Sequence, residues 1–337
     1  MNASALAGEQ GIPMTHVIKV RNVNEALGEG FAWLKVAGVT EDSRNGAVCV
    51  APGPVITEYS HPTERVLFNA DRDANPVFHL LESIWMLAGR SDSAWLLPYN
   101  KRMKIYAEES GNIHGAYGKR WRSFFGFDQI LSIIRELSSN PNSRRAVMAM
   151  WSPAADLGAN KKDLPCNTHI YFDVRNGLNM TVCCRSNDAL WGAYGANVVH
   201  FSMLQELIAA GLGVSVGVYR QMSNNFHAYT DVPTVAKFLD CPPTWHSKYP
   251  GPVVPMILQS ETIDEFYTDC HTLLRDGAVG VFNTSFFHRV VSPLMSVYDM
   301  RKAGDRWWRA ALAGVADCDW KRAFVEWADR REDGSSK

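Results

Sequence analysis

Neither sign of charge is in surplus in this 337-residue chain: 34 lysines and arginines stand against 35 aspartates and glutamates. Proteins that hold long nucleic acids use a basic excess to displace the counterions of the phosphates, so a polynucleotide is a poor candidate partner. One phosphorylated small molecule needs only a local arginine cluster and is not excluded. No two of the seven cysteines form a CxxC pair, and an odd number spread over a long chain fits neither a zinc finger nor a disulfide scaffold. No apolar run is long enough for a membrane span, and no basic stretch followed by an apolar one opens the chain. With 46% hydrophobic and 20% charged residues, the composition is that of an ordinary globular protein, expected in a reducing cytoplasm.

What is present has a readable rhythm. Helices are expected over 24–36, 77–87, 91–107, 127–137 and 196–210, and strands over 47–50, 144–151, 169–174, 178–185 and 214–220. Segments 41–46 and 111–122 read as loops. Asn176-Gly177 between two strand-like runs is a strong hairpin signal. The last hundred residues read as alternating strand and helix, with 304–330 helical. Locally paired strands with interspersed helices make an α+β fold rather than a doubly wound sheet.

The hairpin brings the first chemistry together. With Asn176-Gly177 as a two-residue turn, Arg175 faces Leu178 and Thr168 faces Arg185, so Cys166 lies just beyond the ladder within reach of Arg185. An adjacent guanidinium favours the thiolate, the nucleophilic form, although a lone cysteine is more often a small buried hydrophobe. Arg144 and Arg145 before an apolar strand suit either a phosphate or surface ion pairs. Asn197 shares a helix face with Phe201, Leu204 and Ile208, so its amide is either a helix cap or a buried reader of a heterocycle edge. Glu82 sits among Leu80, Leu81, Ile84 and Trp85, where a carboxylate serves proton transfer or a buried ion pair.

At these residues the chain resembles the thymidylate synthase family, which includes the pyrimidine-nucleotide hydroxymethylases. The resemblance runs through Pro165-Cys166, Arg185-Ser186-Asn187-Asp188, Gly192 to Asn197 and His227-Ala228-Tyr229, with Ser143-Arg144-Arg145, Tyr117 to Arg122 and the Glu82 helix in family order. It implies a large mixed, mainly antiparallel sheet flanked by helices. It implies one catalytic domain over 14–337 after a flexible segment 1–13, with a divergent region 231–337. It also implies a homodimer with shared active sites, a pyrimidine nucleoside monophosphate and 5,10-methylenetetrahydrofolate as substrates, no metal, no nucleic acid and no membrane. A phage-encoded member would work in the host cytoplasm.

Carried over residue by residue, Cys166 matches the cysteine that adds to C6 of the base. Arg44, Arg185 and Ser186 match phosphate ligands, and Arg144 and Arg145 match arginines donated to the partner's phosphate. Asn197 matches the reader of the uracil edge, and His227 and Tyr229 match sugar-hydroxyl contacts. Glu82 matches the carboxylate that organises water, Tyr117 a tyrosine beside the nucleophile, and Asp188 a residue near base and pterin. Gly192, Met103 and Tyr106 match the folate side.

Three departures bear on the product. The usual Pro-Cys-His reads Pro165-Cys166-Asn167. The usual Gly-x-Pro-Phe-Asn becomes Gly192-Ala193-Tyr194-Gly195-Ala196-Asn197, one residue longer, so that either Asn197 or Ala196 takes the base-reading position. Two tryptophans bordering the folate site are replaced by Met103 and Tyr106, and the family's closing tail is not recognisable in 328–337. Less aromatic cover admits water to the intermediate. The expected product is 5-hydroxymethyl-dUMP; the alternatives are dTMP, or hydroxymethylation of a cytidine nucleotide.

Overall fold

Alternating apolar and polar residues, punctuated by glycine and proline, lay down ten strands in a computed structural model that describes residues 15–43 and 45–332. The expectations for segment 1–13 and for Arg44 fall outside the described residues. The strands are β1 (His16–Val20), β2 (Val39–Ser43), β3 (Gly46–Val50), β4 (Val55–Tyr59), β5 (Val147–Ala149), β6 (Asn167–Val174), β7 (Leu178–Cys184), β8 (Asn187–Asp188), β9 (Val216–Ser223) and β10 (Phe226–Tyr229). Six form one sheet in the order β1-β4-β9-β7-β6-β5, and four form a second in the order β2-β3-β10-β8. The β1/β4, β7/β9 and β8/β10 pairs are parallel and the rest antiparallel, so the sheets are mixed and the fold is α+β.

The helices used below are α1 (Val23–Ala37), α2 (Pro76–Leu87), α3 (Tyr117–Arg122), α4 (Gln129–Ser139), α5 (Asn197–Leu212), α6 (Pro233–Asp240), α7 (Ile263–Asp276), α8 (Ser292–Lys302) and α9 (Asp319–Glu332). α2 begins where Asn75 caps it, its side chain accepting from the Phe78 N–H at 3.1 Å, with Pro76 pre-set for the first turn. Every residue of α2 is buried, so Glu82 and His79 are carried into the interior by their neighbours. α5 is buried from Asn197 to Ala209 and lies on one face of the larger sheet.

The opposite face of that sheet is left uncovered by the described residues. The cross-strand row Val17, Ile56, Met222, Cys183, His169 and its neighbour Lys19, Glu58, Arg220, Thr181, Tyr171, Val147 are half-buried or exposed. The row between them, Ile18, Thr57, Gln221, Val182, Ile170, Met148, is buried. The period of two thus separates a covered face from an uncovered one.

Several expectations change. The β6–β7 hairpin pairs Val174 with Leu178, so its loop has three residues, with Asn176 (φ 54°) and Gly177 (φ 114°) in the left-handed half of backbone space. A bulge between Asn167 and His169 then slips the register by one more residue in the same direction. The buried Asn167 amide holds it, donating to the Cys183 and His169 carbonyls at 2.8 and 3.2 Å. The helix expected over 91–107 is a set of turns ending in a short 3-10 segment, Lys101–Tyr106, because Pro98 cannot continue a helix and Asn100 caps the new start. α3 falls within the expected loop 111–122, and 41–46 is largely the β2–β3 hairpin. Only Val147–Ala149 of 144–151 is strand, on an edge. Beyond β10 the described residues contain no strand. Their short apolar runs pack as helix faces and turns, one of them tied by Asp269, which accepts from the Asn283 and Thr284 N–H groups at 2.7 Å each. Among the described residues no helix is long and apolar enough to cross a membrane.

Candidate active site

Where β6 meets its preceding loop, the Arg185 N–H donates to the Cys166 carbonyl at 2.8 Å, so Cys166 itself, and not Thr168 as expected, stands opposite Arg185. The half-buried Cys166 opens into a cavity of about 700 Å³ walled by α2, α3, α5, the 99–106 segment and α9. The Arg185 guanidinium is turned to the backbone: Nε donates to the Pro165 carbonyl at 3.0 Å and the ring of Trp151 lies 5.3 Å beneath it. Burial pushes the Cys166 thiol up from its ordinary range. Arg185 pulls the other way, and Asp163 and Asp188 reinforce the rise. The simple expectation that the arginine yields a thiolate is therefore corrected in the free protein, because desolvation outweighs one partly exposed cation.

Tyr117 enters the same cavity from the first turn of α3 and stacks on Phe201 of α5, ring centres 5.5 Å apart. Gly118 lets α3 approach this closely, since a Cβ there would fall 2.1 Å from the Met86 carbonyl oxygen. α3 is anchored by Arg120, which is fully buried and donates to both Asp156 oxygens at 2.7 and 2.8 Å. Breaking such a buried pair costs about 3–5 kcal/mol.

In the same cavity, Glu82 Oε2 stands 3.0 Å from Nε2 of His200 on α5, and both residues are buried. Asn197, one turn before His200, also lines the cavity; its Nδ2 donates to Asn187 Oδ1 at 3.0 Å, and Asn187 Nδ2 donates to Ser223 Oγ at 3.0 Å. Asn197 is not the N-cap of α5, which is Ala196. Ala196 lines the cavity too, but with a methyl group. The extra residue of this loop is absorbed in a π-type widening over Ala189–Ala196, kinked at Tyr194 and Gly195. Tyr194 points away into the core, its hydroxyl 3.1 Å from Thr57 Oγ1. Gly192 leaves room for the amide pair: a Cβ there would lie 2.8 Å from Asn187 Oδ1.

Asp188 accepts from the Trp191 N–H through Oδ1, while Oδ2 is buried without a partner. Burial pushes its carboxyl up, opposed by the Trp191 N–H, His227 and Arg72. An orphaned carboxylate oxygen here suits a flat heterocycle bearing N–H donors. Met103 and Tyr106 line the same cavity, Tyr106 at the surface. Trp191 stands at the rim, 42% exposed, with Arg72 stacked 4.5 Å from its ring; Trp95 packs on Tyr99 instead.

A second, polar hollow of about 420 Å³ adjoins, lined by Ser186, His227, Asn225 and Asn45, and Tyr229 lines both. His227 Nδ1 is held 2.7 Å from Asn225 Oδ1. Arg144 and Arg145 do not join this site: both are exposed beside the sheet edge, Arg145 pairing with Glu136 at 2.9 Å. Among the described residues no cluster of His, Cys, Asp and Glu is placed to hold a metal.

Among the lining residues that escape sequence reasoning are His79, His200, Trp327 and Arg331. His79 and His200 are polar at core-facing positions, three residues from Glu82 and Asn197, and that spacing was the available signal. Trp327 and Arg331 of α9 close the cavity; Arg331 stacks 3.8 Å over Trp327 and binds both oxygens of Asp73 at 2.9 and 2.6 Å. Nothing local in the chain announces that contact.

Residues 42–259 match the family model described as thymidylate synthase. The deoxyuridylate hydroxymethyltransferase of Pseudomonas phage M6 is 46% identical over 330 residues, covering 94% of each chain. That of Bacillus phage SP01 is 37% identical over 190 residues, 53% of this chain and 50% of the relative. The crystal structure of thymidylate synthase from T4 phage superposes with a TM-score of 0.56 at 22% identity, over 70% of this chain and 87% of that one.

Proposed function

The chain belongs to the thymidylate synthase family, and on that premise we propose that it transfers a one-carbon unit from 5,10-methylenetetrahydrofolate to C5 of dUMP and finishes with water, giving 5-hydroxymethyl-dUMP and tetrahydrofolate. The carrying observation is the wall around Cys166: Met103 and the surface Tyr106 give little rigid cover, and Trp191 is withdrawn to the rim. The phage relative matched over nearly its whole length supports the same reading.

In this reading Cys166 adds to C6 and makes C5 nucleophilic, with Tyr117 beside it. Asn197 reads the uracil edge. Ser186, Arg185 and Arg44 receive the phosphate, and His227 and Tyr229 the sugar hydroxyl. Glu82 organises water and proton movement around the base. The folate co-substrate supplies the electrophilic carbon; Asp188 would meet its pterin N–H groups, with Gly192, Met103 and Tyr106 along its side. Methylation to dTMP is the second reading, and Trp327 favours it as an aromatic side chain in the same cavity. Product analysis from dUMP and methylenetetrahydrofolate separates the two. The expected product is heavier than dUMP by CH2O with no dihydrofolate; one heavier by CH2 with matching dihydrofolate refutes hydroxymethylation.

The uncovered face of the six-stranded sheet supports a homodimer, and Arg144 and Arg145 at its edge would reach the partner's nucleotide phosphate. An equal mixture of inactive Cys166→Ala and Arg145→Ala chains, unfolded and refolded together, should recover about a quarter of the wild-type sites, since half the dimers are mixed and each carries one intact site. A protein that stays monomeric while turning over substrate overturns this arrangement. The relatives' phage origin supports action in a host cytoplasm.

A further inference from the structure

Adding Cys166 to the base accounts for the thiol but leaves a buried imidazole in the same cavity without work. His200 is 2% exposed, yet it lines the cavity. Its Nε2 is 3.0 Å from Glu82 Oε2, close but not aligned as a hydrogen bond, and its Nδ1 has no partner among the described residues. Glu82 Oε2 is likewise unsatisfied. Three buried polar atoms with unmet hydrogen-bonding capacity, facing one hollow, mark a place for an ordered water.

The location is chemically specific. His200 follows Asn197 by three residues, so the two side chains share one face of α5. If Asn197 holds the C4 carbonyl edge and Cys166 is bonded to C6, a substituent on C5, which lies between those carbons, faces the wall where Glu82 and His200 meet.

We propose that His200, oriented by Glu82, is the catalytic base that hydrates the exocyclic methylene of the Cys166-bound pyrimidine, a role that rests on the hydroxymethylation reading. The water oxygen bonds to the methylene carbon as His200 accepts one water proton. The C5–methylene π pair moves to the C4 carbonyl oxygen. It then returns to form the C5–C6 double bond, and the Cys166 sulfur leaves C6 with its bonding pair. The proton on His200 passes to solvent or to the departing thiolate. Nothing is oxidised, so the folate is released as tetrahydrofolate. Imidazole suits this step better than the carboxylate alone, because a ring nitrogen takes the water proton while Glu82, 3.0 Å away, stabilises the cation that forms.

The test follows dUMP tritiated at C5 through two readouts, release of tritium and formation of the hydroxymethyl product, in wild type, His200→Phe and His200→Gln, with a small thiol such as 2-mercaptoethanol present as a competing nucleophile. Tritium release reports formation of the methylene, which precedes the proposed step. Both variants should release tritium within a few-fold of wild type, form hydroxymethyl product about 10²-fold more slowly, and divert the methylene to the thiol adduct. A variant that turns its released tritium into hydroxymethyl product as efficiently as wild type overturns the role. So does loss of tritium release in both variants while dUMP binding is intact, since His200 would then act earlier. If His200→Phe fails to bind dUMP, His200→Gln, which keeps a polar side chain of similar reach, decides the matter; failure of both to bind makes His200 structural and overturns the role. Wild-type enzyme that yields dTMP and dihydrofolate refutes the hydroxymethylation reading itself, an outcome distinct from any of these.

Discussion

Cys166→Ala is expected to lower turnover of dUMP by at least about 10⁴-fold while leaving nucleotide binding within a few-fold of wild type, because it removes the only atom proposed to bond to C6. No neighbour substitutes: Cys184 is buried behind the strand pair, and burial holds its thiol well above the ordinary range. The variant should also abolish exchange of the C5 proton, which requires the covalent adduct. Turnover of Cys166→Ala within tenfold of wild type would refute covalent catalysis here. In the free protein, burial raises the Cys166 thiol despite Arg185. Its alkylation by iodoacetamide, followed on the Cys166 peptide, should therefore keep rising beyond pH 9 instead of levelling off near neutrality.

Asn197→Ala should reduce kcat/KM for dUMP by about 10²–10³-fold and erase most of the preference for dUMP over dCMP, since a site built to hydrogen-bond its substrate discriminates through those bonds. The chain from Ser223 through Asn187 sets the hand of the Asn197 amide. One Nδ2 hydrogen goes to Asn187 Oδ1, which leaves the other for O4 of uracil and Oδ1 for N3–H. Cytosine presents an amino group to the remaining N–H and a lone pair to the carbonyl, two mismatches. Competition between the two nucleotides at equal concentration measures the effect, and a wild-type preference for dCMP would show that this edge is read by something else.

The site was legible where its signals are local. Cys166 and Arg185 meet across a hairpin, and the third loop residue and the bulge at Asn167 and His169, each slipping the pairing by one, bring Cys166 opposite Arg185 where Thr168 was expected. Glu82 and Asn197 stood out as polar residues where the helical period demands apolar ones, and both face the cavity. The C-terminal third was not legible as strand or helix, since runs such as Val279 to Phe282 are too short for periodicity to separate the two.

By itself, then, the sequence determined the α+β arrangement, the cysteine beside its arginine and the polar residues destined for the interior, because hairpin pairing and helix faces are set by neighbours along the chain. Only the tertiary structure decided the rest. Whether Glu82 would meet a polar partner depended on α2 packing against α5, which brings His200 within 3.0 Å from a distant part of the chain. The aromatic cover missing at Met103 was partly replaced by Trp327 because α9 folds back over the cavity. The thiol's proton affinity turned on the same cause: burial is a property of everything packed around a group, and it outweighed the one cation that the sequence had placed beside Cys166.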